Sequence, residues 1–290
     1  MPEIVKILNN FLSVVFSQTT CILNFYLLFS IFYSKRIAWK SELSLIYIRF
    51  AFDMFYTFFV PHNKIYYIIR QIFPGCVVKN LSFYLIWPTI PLGCIRATLV
   101  FLITLDRVIA LFFPISYHNH RFKISLSAII ISVSCFGASD HLILFGYCRY
   151  TVDVPLECDN FNCVIKSCFY SYWVSRDQIQ YILTGTFSVI LLFRLVIWNN
   201  FVASQRSQNL SRATRIALLE SIVIICFSII PSLIFASFPS LNFASVGPWT
   251  IVLKHAGFMI EALIICQFLL KRKSKNAIGR NSNVLTAWSQ

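Results

Sequence analysis

Seven stretches of this chain are each long and apolar enough to cross a bilayer, and no other feature restricts its fold so tightly. A helix needs about 20 apolar residues to cover roughly 30 Å of hydrocarbon. The stretches fall at about 10–33, 43–61, 80–112, 124–147, 178–202, 216–238 and 247–270. The breaks are basic or polar: Ser34-Lys35-Arg36, 62–79, Tyr117-His118-Asn119-His120-Arg121, 148–177, 203–215 and the short 239–246. Lipid satisfies no backbone hydrogen bonds, and the stretches are too long for barrel strands. The fold class expected is therefore an all-α membrane protein, a seven-transmembrane helix bundle over 10–270. A short N-terminus (1–9) and a basic tail (271–290) flank it, and no repeat relates the halves.

Composition supports the same reading. The chain is 58% hydrophobic and 12% charged, about half the charge of a soluble domain. Its 29 Phe and 13 Tyr exceed what one core of this size hides. A net charge of +14 on a soluble surface would suggest nucleic acid. Here the basic residues sit between apolar runs, where they set orientation, so nucleic acid is not an expected partner. The first apolar run lacks a basic n-region and a small-residue cleavage site, and reads as a retained signal anchor. Only about ten residues precede it, so no extracellular ligand-binding domain is expected.

With the N-terminus outside, the inner segments hold fourteen Lys and Arg and the outer ones seven. That excess predicts N-out, C-in. Cys76, Cys148, Cys158, Cys163 and Cys168 all fall in segments then extracellular, where disulfides form. At least one disulfide is expected to tie 148–177, with Cys76 as a candidate partner; five is odd, so one thiol stays free or sits just inside the membrane. The spacing of Cys158, Cys163 and Cys168 is not that of a zinc site. No metal and no cofactor is expected. Of two N-x-S sequons, Asn209 lies in an inner segment and Asn80 at the outer mouth of the third span, close to lipid.

At the inner end of the third span stands Asp106-Arg107-Val108-Ile109-Ala110-Leu111-Phe112-Phe113-Pro114. A guanidinium at the membrane edge needs a partner, and the adjacent carboxylate supplies one. The pattern D-R-x-x-A-x-x-x-P resembles the D-R-Y signature of rhodopsin-like receptors, whose arginine is a G-protein switch. More narrowly, the chain is similar to the nematode serpentine chemoreceptors, most of all class BC. The resemblance rests on 47–53 (YIRFAFD), 113–121 (FPISYHNHR), the four-cysteine stretch from Cys148 to Trp173, 209–220 (NLSRATRIALLE) and Pro231-Ser232. It implies a receptor in the plasma membrane of sensory cells, in cilia of chemosensory neurons. Its implied partners are an odorant or pheromone-like small molecule and a heterotrimeric G protein, with no enzymatic activity.

Departures from rhodopsin-like receptors are clear. The seventh span has no Asn-Pro-x-x-Tyr, no Trp precedes Pro231, and Cys76 lies 31 residues before Arg107. Pro231 removes a helix hydrogen bond and reads as a kink, either a hinge or a static bend. Ligand-binding candidates are the polar and aromatic residues of the outer halves: Tyr84, Trp87, Asp140, His141, Trp249, Lys254 and His255. Lys254 and His255 lead, because a cation inside a span needs a reason to be there, and Asp140 is a partner for one of them. His118 and His120 read as solvated. Ser207, Ser211, Thr214, Ser274 and Ser282 lie among inner basic residues as weak phosphorylation candidates.

Charges within the spans carry the sharpest expectation. Arg96 precedes Arg107 by eleven residues, about 16 Å of helix, which puts it near mid-membrane. Asp53 and Glu261 lie at similar depth. In rhodopsin-like receptors these places form a sodium pocket around a second-span aspartate, which Asp53 matches. Here the Arg96 guanidinium is expected to replace the ion and bridge Asp53 and Glu261, with Arg49 completing a neutral two-plus-two cluster. The competing classes are a transporter or channel, since intramembrane charges also mark ion pathways, and a membrane enzyme, for which no Walker, Rossmann or nucleophile-elbow motif is present.

Overall fold

A computed structural model describes residues 2–73, 75–121, 125–156, 158, 161–202, 212–231, 234 and 249–270. All regular structure among them is helical: α1 (Pro2–Phe32), α2 (Ser44–Ile72), α3 (Leu81–Ile86), α4 (Thr89–Phe112), α5 (Pro114–Arg121), α6 (Leu126–His141), α7 (Phe161–Val202), α8 (Arg212–Ile224) and α9 (Trp249–Leu270). A 3-10 turn precedes α2, and π turns at Leu142–Tyr147 and Ile225–Ile229 extend α6 and α8. Among the described residues, four helical stretches are long and apolar enough to cross a membrane: Ile4–Phe32, Ser41–Ile72, Leu126–Tyr147 and Trp249–Leu270. The pair α3–α4, then α7, then α8 with its π turn fall at the third, fifth and sixth expected spans.

The helices run past the apolar stretches. α1 is helical from Pro2, and α2 continues through Pro61 and the polar stretch beyond it to Ile72. α7 starts at Phe161, inside the stretch expected to be a loop, with a kink at Lys166 (φ 62°, ψ 159°). A helix satisfies its own backbone, so nothing forces it to stop where the hydrocarbon does.

α1 and α2 form an antiparallel hairpin, α9 lies along α1, and α4 is central, touching α2, α6, α7 and α8. Two glycines permit the closest approaches. A Cβ on Gly137 of α6 would meet Ile95 Cγ1 at 2.5 Å, and one on Gly257 of α9 would meet Phe227 Cβ at 2.8 Å. Small residues at such crossings let helices pack without a hydrophobic driving force.

The bundle has two distinguishable ends. At one, Leu27, Tyr47, Phe50, Ile103 and Ile265 form a buried cluster below Asp106 and Arg107. At the other, Phe83, Ile90, Leu144, Tyr150 and Phe169 pack beneath the cysteine-rich segment. Asn80 latches that segment down. Its Nδ2 donates to Val152 O at 3.3 Å, and its Oδ1 accepts from Val154 N at 2.8 Å. Its φ of 64° is a left-handed conformation that asparagine tolerates. A glycan on this sequon would disturb the Nδ2 bond. Phe25, Phe58, Ile131, Ile182 and Phe193 are exposed around the perimeter, as expected where lipid is the solvent.

Candidate functional site

Buried charge occupies three levels of the bundle. The first lies at the C-terminal end of α4. α4 ends at Phe112, and Pro114 opens α5 at the first helical position, where a missing N–H costs nothing. One turn later Tyr117 folds back over Arg107, with its amide bonded to Phe113 O at 2.8 Å. Arg107 pairs with Asp106 and donates through Nη2 to the Tyr117 hydroxyl at 2.9 Å. That hydroxyl lies 3.1 and 3.2 Å from the two Asp106 oxygens. The result is a closed Asp106–Arg107–Tyr117 triangle. Tyr117 read in the sequence only as part of a polar break, since a residue ten positions on reveals nothing about the turn that returns it.

The middle level gathers four helices. Arg49 and Asp53, one turn apart on α2, meet at 3.3 Å. Arg49 Nη1 reaches Glu261 of α9 at 2.5 Å and donates to Glu220 of α8. Arg96 of α4 pairs with Asp53 at 2.8 Å and with Glu261 at 3.6 Å, and its guanidinium lies 3.5 Å from the Phe258 ring centroid. All five side chains are buried. Glu220 corrects the expected neutral composition: two arginines face three carboxylates, and Arg49, not Arg96, has the most partners. A glutamate inside the sixth apolar stretch was the available signal, because an ionisable group there needs a partner.

The third level lies toward the disulfides. Asp140 of α6 accepts from Arg176 through both oxygens, and from the Tyr172 hydroxyl at 3.2 Å. Arg176 also pairs with Asp177 at 2.9 Å. Lys254 and His255 are therefore not the partners of Asp140, contrary to expectation. Arg176 sat in a stretch read as an outer loop, but the early start of α7 carries it into the bundle. Lys254 instead places its ammonium 5.4 Å from the Tyr181 ring centroid. His255 is buried against Tyr56 and Phe258, and its Nδ1 has no hydrogen-bond partner.

The remaining ligand candidates are not gathered with these. Trp87 donates to His141 Nδ1 at 3.1 Å at the perimeter. Tyr84 is exposed, and Trp249 is partly so. Beside Arg96 a small cleft is lined by Gln180, Tyr181, Thr184 and Ile224. Gln180 donates to Thr98 at 2.9 Å there, while its Oε1 is buried without a partner.

The cysteines pair locally, Cys148 with Cys168 and Cys158 with Cys163, at Cα separations of 5.9 and 5.6 Å. Cys76 is free and exposed, which corrects its candidacy as a disulfide partner: the four cysteines of the neighbouring segment satisfy one another. Tyr150 fastens this cap by donating to Val164 O at 2.5 Å. Burial, reinforced by the Asp153 carboxylate, pushes its phenol up to about 12. A membrane-impermeant maleimide applied to intact cells should label Cys76 and leave Cys148, Cys158, Cys163 and Cys168 unreacted until reduction. Labelling of those four without reductant would refute the pairing, and no labelling of Cys76 before permeabilisation would put this end inside.

Pro231 is buried just beyond the second π turn. The last π hydrogen bond, Ile230 N to Ile225 O, stops one residue before the proline that has no N–H to give. A π turn and a proline together are a common origin of a sharp bend. Among the phosphorylation candidates only Thr214, on α8, is described; Ser207, Ser211, Ser274 and Ser282 lie outside the described residues, as do the side chains of His118 and His120.

No curated protein matches the chain. Residues 2–273 match the family described as serpentine type 7TM GPCR chemoreceptor Srbc. A chain of apolar helices, with arginine–carboxylate pairs inside and two disulfides at one end, and a match over nearly its whole length, thus belongs to the Srbc family of seven-transmembrane chemoreceptors and is a multi-pass membrane protein.

Proposed function

We propose that the protein is a chemosensory G-protein-coupled receptor of the plasma membrane, in sensory cilia, with its disulfide-bonded end outside and its Asp106–Arg107 end in the cytoplasm. A small environmental molecule binds among the helices of the outer half. The observation that carries this reading is the Asp106–Arg107–Tyr117 triangle at the end of the central helix. It holds a permanently charged guanidinium against a carboxylate at the membrane edge, in a local arrangement that a shift of α4 or α5 would open. Freed, Arg107 can meet the C-terminal segment of a G-protein α subunit. Pro231 then serves as a hinge on which the Arg212 end of α8 swings outward and admits it.

The test is expression in cells carrying reporters for each class of G-protein α subunit, challenged with odorants and pheromone-like compounds. At least one compound should change second-messenger level only in expressing cells, and removing the matching α subunit should abolish the change. Ion flux that persists without G protein would instead assign a transporter or channel.

A further inference from the structure

Lys64 is nine-tenths buried in the disulfide-end half of α2, yet among the described residues it makes no ion pair and no hydrogen bond. Its surroundings are equally incomplete. The Asn63 Oδ1, Ser13 Oγ and His255 Nδ1 atoms are all buried without hydrogen-bond partners. Two contacts fix how the three helices align: Cys21 Sγ to Met54 O at 3.6 Å, and Cys266 Sγ to Leu23 O at 3.9 Å. Stepping from the first along antiparallel α1 and α2 brings Ser13 to the level of Asn63 and Lys64, and His255, packed on Tyr56, lies about two turns along α2 from them. Consistently, Lys64 acts electrostatically on the His255 imidazole, as do Lys254 and Arg96.

The carboxylates with described side chains are engaged elsewhere. Asp53, Glu220 and Glu261 hold Arg49 and Arg96. Asp106 holds Arg107, Asp140 and Asp177 hold Arg176, and Asp153 holds Lys79. Glu42 is exposed at the far end of the bundle. An ammonium at the end of a nine-tenths buried side chain, with no described acid to pair with, is costly, and it is expected where a charge arrives from outside.

We propose that α1, α2 and α9 form a site for a small organic anion, a carboxylate on an apolar skeleton, with Lys64 as its counter-ion. The apolar and aromatic walls beside the charge favour a carboxylate on a hydrocarbon skeleton over a phosphate dianion. The unpartnered Ser13 and Asn63 groups offer polar contacts beside the charge, and Tyr56 and Phe258, packed on His255, supply apolar and aromatic walls. This proposal rests on the receptor reading above and names its ligand class.

The test uses the full chain in lipid nanodiscs, with thermal unfolding measured against straight-chain carboxylates of four to ten carbons and phenylacetate. Their methyl esters, the matching amines, chloride and sulfate serve as controls. At least one carboxylate should raise the melting temperature by several degrees, with ester and amine without effect. Lys64→Gln should abolish the shift, and Lys64→Arg should retain part of it. Without any probe, Lys64→Gln should melt at or above the wild-type temperature, because it removes an uncompensated cation. No shift from any carboxylate, an equal shift from esters or sulfate, or a lowered melting temperature of unliganded Lys64→Gln each overturns the site. A carboxylate that stabilises the protein but evokes no G-protein response leaves the site standing and removes the receptor reading. Neutral agonists combined with no carboxylate shift do the reverse.

Discussion

Arg49→Gln will be retained inside the cell. The side chain pairs with carboxylates from three helices, Asp53 on α2, Glu220 on α8 and Glu261 on α9. Removing it leaves Arg96 alone to face three carboxylates in a medium that solvates none of them. Breaking a buried pair from one side typically costs about 3–5 kcal/mol, a large share of the roughly 5–15 kcal/mol that holds a domain folded. Glu220→Gln removes the carboxylate in excess, leaves two arginines with two acids, and should reach the surface at close to wild-type level. The exchange Arg49→Glu with Glu220→Arg should recover part of the expression that either change alone loses, since it restores the charges but not the fork geometry of the arginine. Arg96→Asp with Asp53→Arg gives a second, independent exchange. Surface immunostaining normalised to total protein reads all of these. Arg49→Gln at wild-type surface density, with no rescue by either exchange, would mean that the cluster does not hold the bundle together.

Arg107→Ala will reach the surface and fail to signal, while Asp106→Asn will signal without ligand. Both follow from the triangle at the end of α4. Arg107 is the group proposed to engage the G protein, so its loss removes coupling but breaks no contact between distant helices. Asp106 and Tyr117 are its resting partners. A charge-assisted hydrogen bond contributes about 1.5–3 kcal/mol, so losing the Asp106 charge should raise the active fraction by roughly ten- to hundredfold, a factor of ten being about 1.4 kcal/mol. Tyr117→Phe removes a neutral donor and acceptor worth about 1 kcal/mol and should raise basal activity only several-fold. G-protein activation at matched surface density gives the ranking: Asp106→Asn above Tyr117→Phe above wild type, and Arg107→Ala at background. An Arg107→Ala protein that responds normally to ligand would remove the switch.

Much of this protein is legible along the chain. Apolar runs locate the spans, because crossing hydrocarbon demands length and low charge whatever the neighbours are. Depth is legible as well: Asp53, Arg96 and Glu261 stand at comparable distances from the ends of their runs, and a charge at that depth must find a partner, which makes each a candidate for the others. Arg49 joins them because one helical turn separates it from Asp53. What a run of residues does not encode is the direction a side chain takes around its helix. Glu220 was visible as a charge in the sixth stretch, but only the packing of α8 against α4 and α9 turns it toward Arg49. Nor does an apolar run mark where its helix ends. Arg176 and Lys64 lie beyond the runs and read as outer-loop charges, yet α7 begins early and α2 ends late, because a helix closes its own hydrogen bonds inside and outside the membrane alike. That continuation sends Arg176 to Asp140 and buries Lys64 without an acid. The partners of the cysteines were likewise open, and the early start of α7 decided them by bringing Cys168 beside Cys148. The sequence by itself thus determined the depth of residues inside the apolar runs, since solvent chemistry acts on composition; the tertiary structure alone decided the depth of the charges beyond the runs and which residues face one another, since that depends on helix rotation and on helix ends that no solvent boundary sets.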